Sequence, residues 1–425
     1  MINAPKVHFK RSKSMLRQDA KYIYENAIKD NLPDSAVRKA IDSLPNYSGR
    51  LILVSIGKAG YQMAKTASEC LKNRIDSGIV ITKYGHRGED LPNIEICEAS
   101  HPVLDESTLI ATKKALRLTE NLTNDDFVLF LVSGGGSALF EDISCPLEKM
   151  QALTSDLLKC GASIEEINTV RKHISNVKGG KFAQHCFPAT VYGVVLSDVI
   201  GNRLDMIASG PACSDLTTVK EATDILEKYG ISVDGDVLDL IKRETPKNIE
   251  NAIHLISGSV SELCISAKRY AQVLGYKAEI LHDNEQGEAK DLGIILGNLA
   301  KKHANTDTPL AFIVGGETVV NVKGNGKGGR NQETALSASI AIRDIDNVLV
   351  FSVGSDGTDG PTDAAGGIVD GYTYELIAMH GVSPEAMLED NNAYNALMLA
   401  NGLIMTGPTG TNVNDVAVVL IQPRF

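Results

Sequence analysis

Two kinds of apolar pattern alternate along the chain. LILVSI (51–56), SGIVIT (77–82), IEICEA (94–99), FVLFLV (127–132) and VYGVVLSD (191–198) are short and apolar or nearly so throughout. Runs of that kind predict strands buried on both faces. The stretches between them carry apolar residues at helical spacing. Residues 12–44 predict two helices separated at Pro33, and YQMAKTASECLKNRI predicts a helix directly after the GKAG turn. Asp105 stands as the cap of a further helix, and Ser163 with Glu166 and Thr218 with Glu221 have the spacing of capping boxes. Strand and helix in alternation predict a parallel sheet covered on both faces.

The pattern restarts after RETPKNIENA (243–252), a polar, proline-containing stretch that is the best linker candidate. HLIS (254–257), YKAEIL (276–281), LAFIVG (310–315), VLVFSVG (348–354) and VAVVLI (416–421) predict strands. Helices are expected over 260–274, 286–304, 331–343 and 371–380. A length of 425 residues suits two or three domains. The expectation is therefore two α/β domains, 1–245 and 246–425, with a cleft between them.

Composition removes several function classes. The chain has no Trp and 5% aromatic residues, against stacking on single-stranded nucleic acid. A net charge of −11 disfavours general DNA binding. The seven cysteines are scattered, odd in number and without a CxxC pair, which points to reduced thiols in a cytoplasmic protein rather than a disulfide or zinc framework. The basic N-terminal segment is not followed by an apolar core, and no apolar run approaches the roughly 20 residues that span a bilayer. No membrane or nucleic-acid partner is expected, and either a monomer or a homo-oligomer is compatible with the chain.

Candidate chemistry gathers where predicted strands end. Gly57-Lys58-Ala59-Gly60, Ser133-Gly134-Gly135-Gly136-Ser137, Ser197-Asp198, Gly315-Gly316-Glu317 and the segment from Gly354 to Gly360 all occupy such positions, the edge where open parallel sheets bind ligands. Lys58 opens a helix, where a cation is unfavourable unless an anion faces it. The Ser133–Ser137 turn has the look of an anion nest; a tight strand-to-helix turn is the alternative, but three adjacent glycines exceed what a turn needs, which favours anion binding. Asn168, Arg171, Lys172 and Ser175 share one helical face, either a solvated face or, with Lys178 and Lys181 close behind, a basic pocket. The loop GGETVVNVKGNGKGGRNQ (315–332) joins a strand to a helix start and carries Lys323, Lys327 and Arg330 among six glycines. It is not a P-loop, since Gly328 follows Lys327. Asp198, Glu317, Asp356 and Asp359 lie at or after strand ends, and any pair could serve magnesium, which prefers one or two carboxylates plus phosphate oxygens. Turn-forming roles are the plainer reading of Asp356 and Asp359. His101 could line a cleft, though a turn role is plainer.

These blocks, taken in order, resemble the glycerate 2-kinase family whose C-terminal part is called MOFRL. The resemblance rests on IGKAG (56–60), LVSGGGSAL (131–139), INTVRKHIS with KGG (167–180), LSDVIGN (196–202), ASGP (208–211), the GGE to GRNQE block (315–333), GSDGTDGPTDAAGG (354–367) and GPTGTNVNDV (407–416). It implies a Rossmann-like first domain, a smaller α/β second domain, and ATP-dependent phosphorylation of D-glycerate at the 2-hydroxyl. It implies catalytic roles for Lys58 and Arg330. With that reaction, Ser133, Gly134, Gly135, Gly136, Ser137, Gly316 and Lys327 become candidates to cradle ATP, and Asn168, Arg171 and Lys172 to hold glycerate. Asp198, Glu317 and Asp356 become candidate Mg2+ ligands. The sequence leaves open which loop takes which substrate. Competing readings are a nicotinamide-dependent hydroxypyruvate reductase, which calls for a GxGxxG that no strand here supplies, and a non-catalytic sugar-phosphate or nucleotide-binding module.

Overall fold

The computed structural model describes residues 13–197, 201 and 203–424. Strands β1 (Leu51–Ile56), β2 (Ser77–Lys83), β3 (Ile94–Ala99), β4 (Phe127–Val132), β5 (Thr190–Val195) and β6 (Ala252–Ile256) form one sheet, ordered β3-β2-β1-β4-β5-β6. All its pairings are parallel. Every residue of β1 and β4 is buried. Ile52, Val54, Ile56, Val128 and Phe130 pack into one core layer, and Leu51, Leu53, Leu129 and Leu131 into the layer on the opposite face. The period of two along a strand requires that division, and two apolar faces are what a doubly covered sheet needs. β1 pairs with β2 on one side and β4 on the other, so the strand order reverses there. The carboxyl ends of β1 and β4 thus mark the switch point at which such sheets bind ligands.

The second sheet consists of β7 (Lys277–Glu285), β8 (Leu310–Gly316), β9 (Val348–Gly354), β10 (Gly366–Asp370), β11 (Leu403–Ile404) and β12 (Asp415–Ile421), ordered β11-β10-β9-β12-β8-β7. It is mixed: β7 and β8 are parallel, while β12 lies antiparallel between β8 and β9. β8 and β9 therefore run the same way. Their carboxyl ends, Gly316 and Gly354, both sit in register with Asp415 at the start of β12. β10 and β11 have no counterpart among the sequence expectations, because GGIVD and LI are too short and glycine-rich to announce strands.

The division between the two compact units departs from the expected 1–245 and 246–425. One unit is Pro33–Gly258; the other joins the helix Lys13–Asp30 to the chain from Ser259 onward. Leu16, Ala20, Ile23, Tyr24 and Ala27 form one buried stripe of that helix. They share a core with Leu263 and Ala267 of the helix Val260–Val273, Phe351 of β9 and Val416 of β12. Tyr276 OH donates to Asp19 at 2.7 Å and Arg17 Nε to Asp370 at 3.0 Å. The supposed linker is tied to the unit Pro33–Gly258. Thr245 Oγ1 donates to Asp215, Asn251 Nδ2 donates to the Ala183 and Ala189 carbonyls, and β6 then adds to the parallel sheet beside β5. Thr245 and Asn251 thus bond inward, while Arg243, Glu244, Lys247, Asn248 and Glu250 stay exposed.

Truncating Ile23 to Ala should cost about 2–5 kcal/mol, the usual penalty for a buried isoleucine. Hydrogen exchange should quicken in Val260–Val273 and β12 while β1 and β4 stay protected. Faster exchange in β1 and β4 instead would place the helix in the wrong unit.

Candidate functional site

At the switch point the loops after β1 and β4 are joined backbone to backbone. Lys58 N–H donates to the Gly134 carbonyl at 2.9 Å, and Ala59 N–H to Ser133 Oγ at 3.0 Å. Gly57 has φ +109°, and a Cβ there would overlap Ser133 Oγ, so the contact requires glycine. The chain then turns through Gly135, at φ +86°, into a short helical turn at Gly136–Leu139. The amides of Gly134 and Gly135 find no acceptor among the described residues. The exposed Lys58 side chain makes no ion pair with any described residue. A pocket of about 280 Å³ opens here, walled by this turn, His101, Asn168, Arg171 and the strap Met206–Ala208.

The helix Ile164–Ile174 starts at the expected capping box of Ser163 and Glu166. Its polar face is not solvated. Asn168, Lys172 and Ser175 are buried. Asn168 Oδ1 accepts from Ser209 Oγ at 2.8 Å, and Arg171 Nη2 donates to the Ser137 carbonyl at 3.0 Å. Arg171 Nε has no partner, so the guanidinium holds more donors than the protein answers. Lys172 is absent from the pocket wall and pairs instead with buried Asp215 at 3.2 Å. Lys178 is fully enclosed. Its ammonium donates to the Ser137 and Phe140 carbonyls at 2.9 and 2.8 Å and lies 3.5 Å from the buried Glu141 carboxylate. Burial, partly countered by Glu141, lowers the Lys178 amine to about 8. Lys181 is likewise lowered to about 8, chiefly by burial, and donates to the Lys172, His173 and Ser175 carbonyls. The suspected basic pocket is thus a scaffold under the glycine turn. Ala208, Ser209 and Gly210 form three consecutive left-handed residues, a strained strap tied down through Ser209 to Asn168 and to Ser137.

The other unit places Arg330 at the start of the helix Arg330–Ala341. Its Nε and Nη2 grip Asp415 at 2.5 and 3.2 Å, and Nη1 lies 3.3 Å from Glu317. Burial pushes the Asp415 carboxyl up against the pull of Arg330. Asp359 is buried and accepts from the backbone amides of Asn331 and Gln332 at 3.1 and 2.8 Å. Desolvation nonetheless raises its carboxyl to about 7.

The glycine-rich loop is not an open cradle. Lys323 and Gly324 amides donate to Asn391 Oδ1, Asn325 to Asp390 Oδ1, Gly326 to the Asp390 carbonyl and Lys327 to Asn392 Oδ1. A Cβ at Gly324 or Gly326 would overlap the Asp390 backbone. These glycines permit close packing of two chain segments, which accounts for them without a phosphate. Lys327 Nζ lies 4.3 Å from the centre of the Tyr394 ring, and Gly316 packs on the Glu285 backbone. Asp356 accepts the Thr358 amide at 2.9 Å, a turn role. Asp198 lies outside the described residues. Among the described residues no three metal-ligating side chains converge.

Comparison with known proteins sets this geometry in a family. Residues 19–242 match the family model described as a domain of unknown function, DUF4147, and residues 310–415 match that of the MOFRL family. The chain is 51% identical to the D-glycerate 2-kinase of Thermotoga maritima, over 96% of this chain and 98% of that protein. The chain belongs to the MOFRL-type glycerate 2-kinase family. It is also 42% identical to the glycerate 2-kinase of Pyrococcus horikoshii over 88% of each chain. The crystal structure of the Thermotoga maritima glycerate kinase matches with a TM-score of 0.93 at 50% identity, over 96% of this chain and all of that one.

The blocks that carry the resemblance collect in two places. SGGGS, the helix Ile164–Ile174 and ASGP contribute to the wall of the switch-point pocket, GKAG is bonded to its glycine turn, and Lys178 of KGG donates to the Ser137 carbonyl. GRNQE, SDGTDG and NVND surround Arg330 and Asp415 at one edge of the mixed sheet. Sequence reasoning missed Glu141, Asp215 and Asp415, single carboxylates whose cationic partners lie far off along the chain. Asp415 stood within a quoted block, which was the available signal.

The sign of the Asp359 shift gives a test. A carboxyl raised to about 7 binds its proton more tightly when folded, so stability falls as pH rises from its ordinary 3.8 toward 7. Melting midpoints of the wild type should decline across that window, and Asp359→Asn should flatten the decline. An unchanged slope in the variant would remove Asp359 as its source.

Proposed function

We propose that the protein is a D-glycerate 2-kinase, moving the γ-phosphoryl group of ATP to the 2-hydroxyl of D-glycerate. The observation that carries this reading is the set of unanswered donors at the switch point: the Gly134 and Gly135 amides and the Lys58 ammonium, beside a pocket that Arg171 lines. Donors left open at a glycine turn suit a phosphate or a carboxylate, and both reactants are anions. The similarity to relatives named D-glycerate 2-kinase and glycerate 2-kinase supports the choice of acceptor and hydroxyl.

Phosphoryl transfer asks a protein mainly for positioning and charge stabilisation. Lys58 offsets negative charge on the transferring group or the acceptor carboxylate. Ser133, Gly134, Gly135, Gly136 and Ser137 hold an anion, with Asn168 and Arg171 reading the acceptor. Arg330 serves a second anion while Asp415 fixes its fork. Lys172, Gly316 and Lys327 act through the scaffold. Asp198, Glu317 and Asp356 are the candidate carboxylates that, one or two together with the nucleotide phosphates, would hold magnesium, which would neutralise phosphate charge there. The strand order is that of dinucleotide-binding folds, yet the turn after β1 reads GKAG, and Ala59 stands where the second glycine of GxGxxG would admit a pyrophosphate. Among the described residues no helix is long and apolar enough to cross a membrane, and the seven cysteines are free; we place the enzyme in the cytoplasm.

Incubation with ATP, Mg2+ and D-glycerate should yield ADP and 2-phosphoglycerate by NMR. NADH-dependent turnover of hydroxypyruvate without ADP would sink the reading, and nucleotide binding without turnover would favour a sensor module. Lys58→Ala should lower kcat by about 100-fold or more with its melting midpoint retained, since its side chain bonds to no described residue. Arg330→Ala should lose activity and also melt earlier, by the roughly 3–5 kcal/mol of a stranded buried carboxylate. A wild-type rate for Lys58→Ala would remove it from the site.

A further inference from the structure

His101 belongs to the pocket wall, and neither a hydrogen bond nor an ion pair ties its ring to any described residue. Its Cδ2–Nε2 edge lies against Gly135: a Cβ added there would sit 2.9 Å from Cδ2 and 3.1 Å from Nε2, with Lys58 Cγ at 3.2 Å. The imidazole edge, the lysine stem and the glycine turn therefore meet at one residue. Rings with a structural role here anchor one nitrogen on a backbone carbonyl, as His173 does on Arg243 and His254 on Ala212. His101 does so with neither nitrogen among the described residues, and it lines the pocket.

We infer that His101 is the general base of the transfer, accepting at a ring nitrogen the proton of the glycerate 2-hydroxyl. The hydroxyl oxygen forms its bond to the γ-phosphorus as its O–H bond breaks, the bond from that phosphorus to the β–γ bridging oxygen breaks, and ADP leaves with that electron pair. The imidazolium then returns its proton to solvent. A base must be neutral beforehand. Burial, with the positive charge of Lys58, Lys83 and the neighbouring His86, holds the imidazole below its ordinary range. None of the groups acting on it is a carboxylate, and Arg171 on the same pocket adds no negative charge. The site thus keeps the base uncharged at neutral pH, beside the cation that attracts the acceptor.

The inference rests on the proposed kinase activity. Wild-type kcat/KM for D-glycerate, with ATP and Mg2+ saturating, should fall on acidification through a limb lying below the ordinary histidine value of 6.5. His101→Asn and His101→Gln, each checked for native melting, should lose about 100-fold or more in kcat with KM for glycerate little changed. That acid limb should be absent in both. Added imidazole should restore part of the rate to His101→Ala. Retention of the wild-type rate or of the acid limb in the Asn and Gln variants overturns the inference and leaves the kinase reading intact. A kcat loss without rescue and with the limb unmoved marks a structural role and overturns it equally. Absence of 2-phosphoglycerate from the wild type overturns both.

Discussion

The site depends on how closely two strand ends approach. β1 and β4 are adjacent and parallel, and their last residues, Ile56 and Val132, are paired in register. The loops that follow must turn away within the width of one backbone. Gly57 removes the side chain that would strike Ser133, and Lys58 N–H spends itself on the Gly134 carbonyl. The Gly134 and Gly135 amides on either side of that carbonyl have no acceptor among the described residues. Strand pairing thus sets a turn whose carbonyl is taken up inside the protein and whose donors are open.

Under the turn lies a dense set of buried charge. Lys178 and Arg171 both reach the Ser137 carbonyl, Glu141 faces both cations, and Ser175 Oγ donates to Glu141. A buried charge is costly unless paired and hydrogen-bonded, so each member constrains the others to one arrangement. The turn is thereby fixed from below while its upper surface stays open. Arg330 repeats the principle in the other unit, where Asp415 on the first position of β12 orients it.

Much of the architecture was legible because its strands are short, wholly apolar and bounded by glycine or capping residues. LILVSI, FVLFLV and VLVFSVG are strands over those same residues. The failures share a cause: polarity does not say what a polar group faces. RETPKNIENA read as a linker because it is hydrophilic, although Thr245 and Asn251 bond inward, and Lys172, Lys178 and Lys181 as surface or pocket cations because lysines usually are. The carboxylates that internalise Lys172 and Lys178, Asp215 and Glu141, are remote in sequence, and Lys181 is held by carbonyls its type does not announce. The glycine-rich 315–332 loop misled in the opposite direction. Glycine signals close approach, and here the approaching group is the chain's own Asp390–Asn392 segment. The GGGS turn, outwardly the plainer motif, is the one with donors to spare.

The helix Lys13–Asp30 packs with strands that follow it by more than three hundred residues, and that has a consequence for biosynthesis. The intervening unit, Pro33–Gly258, is continuous and leaves the ribosome whole, able to fold as it emerges. The helix is made first and finished last. Its stripe of Leu16, Ala20, Ile23 and Tyr24 waits uncovered until the helix Val260–Val273 has been synthesised and is fully enclosed only with β12, so newly made chains carry an exposed apolar segment through more than half of translation, a natural target for chaperones.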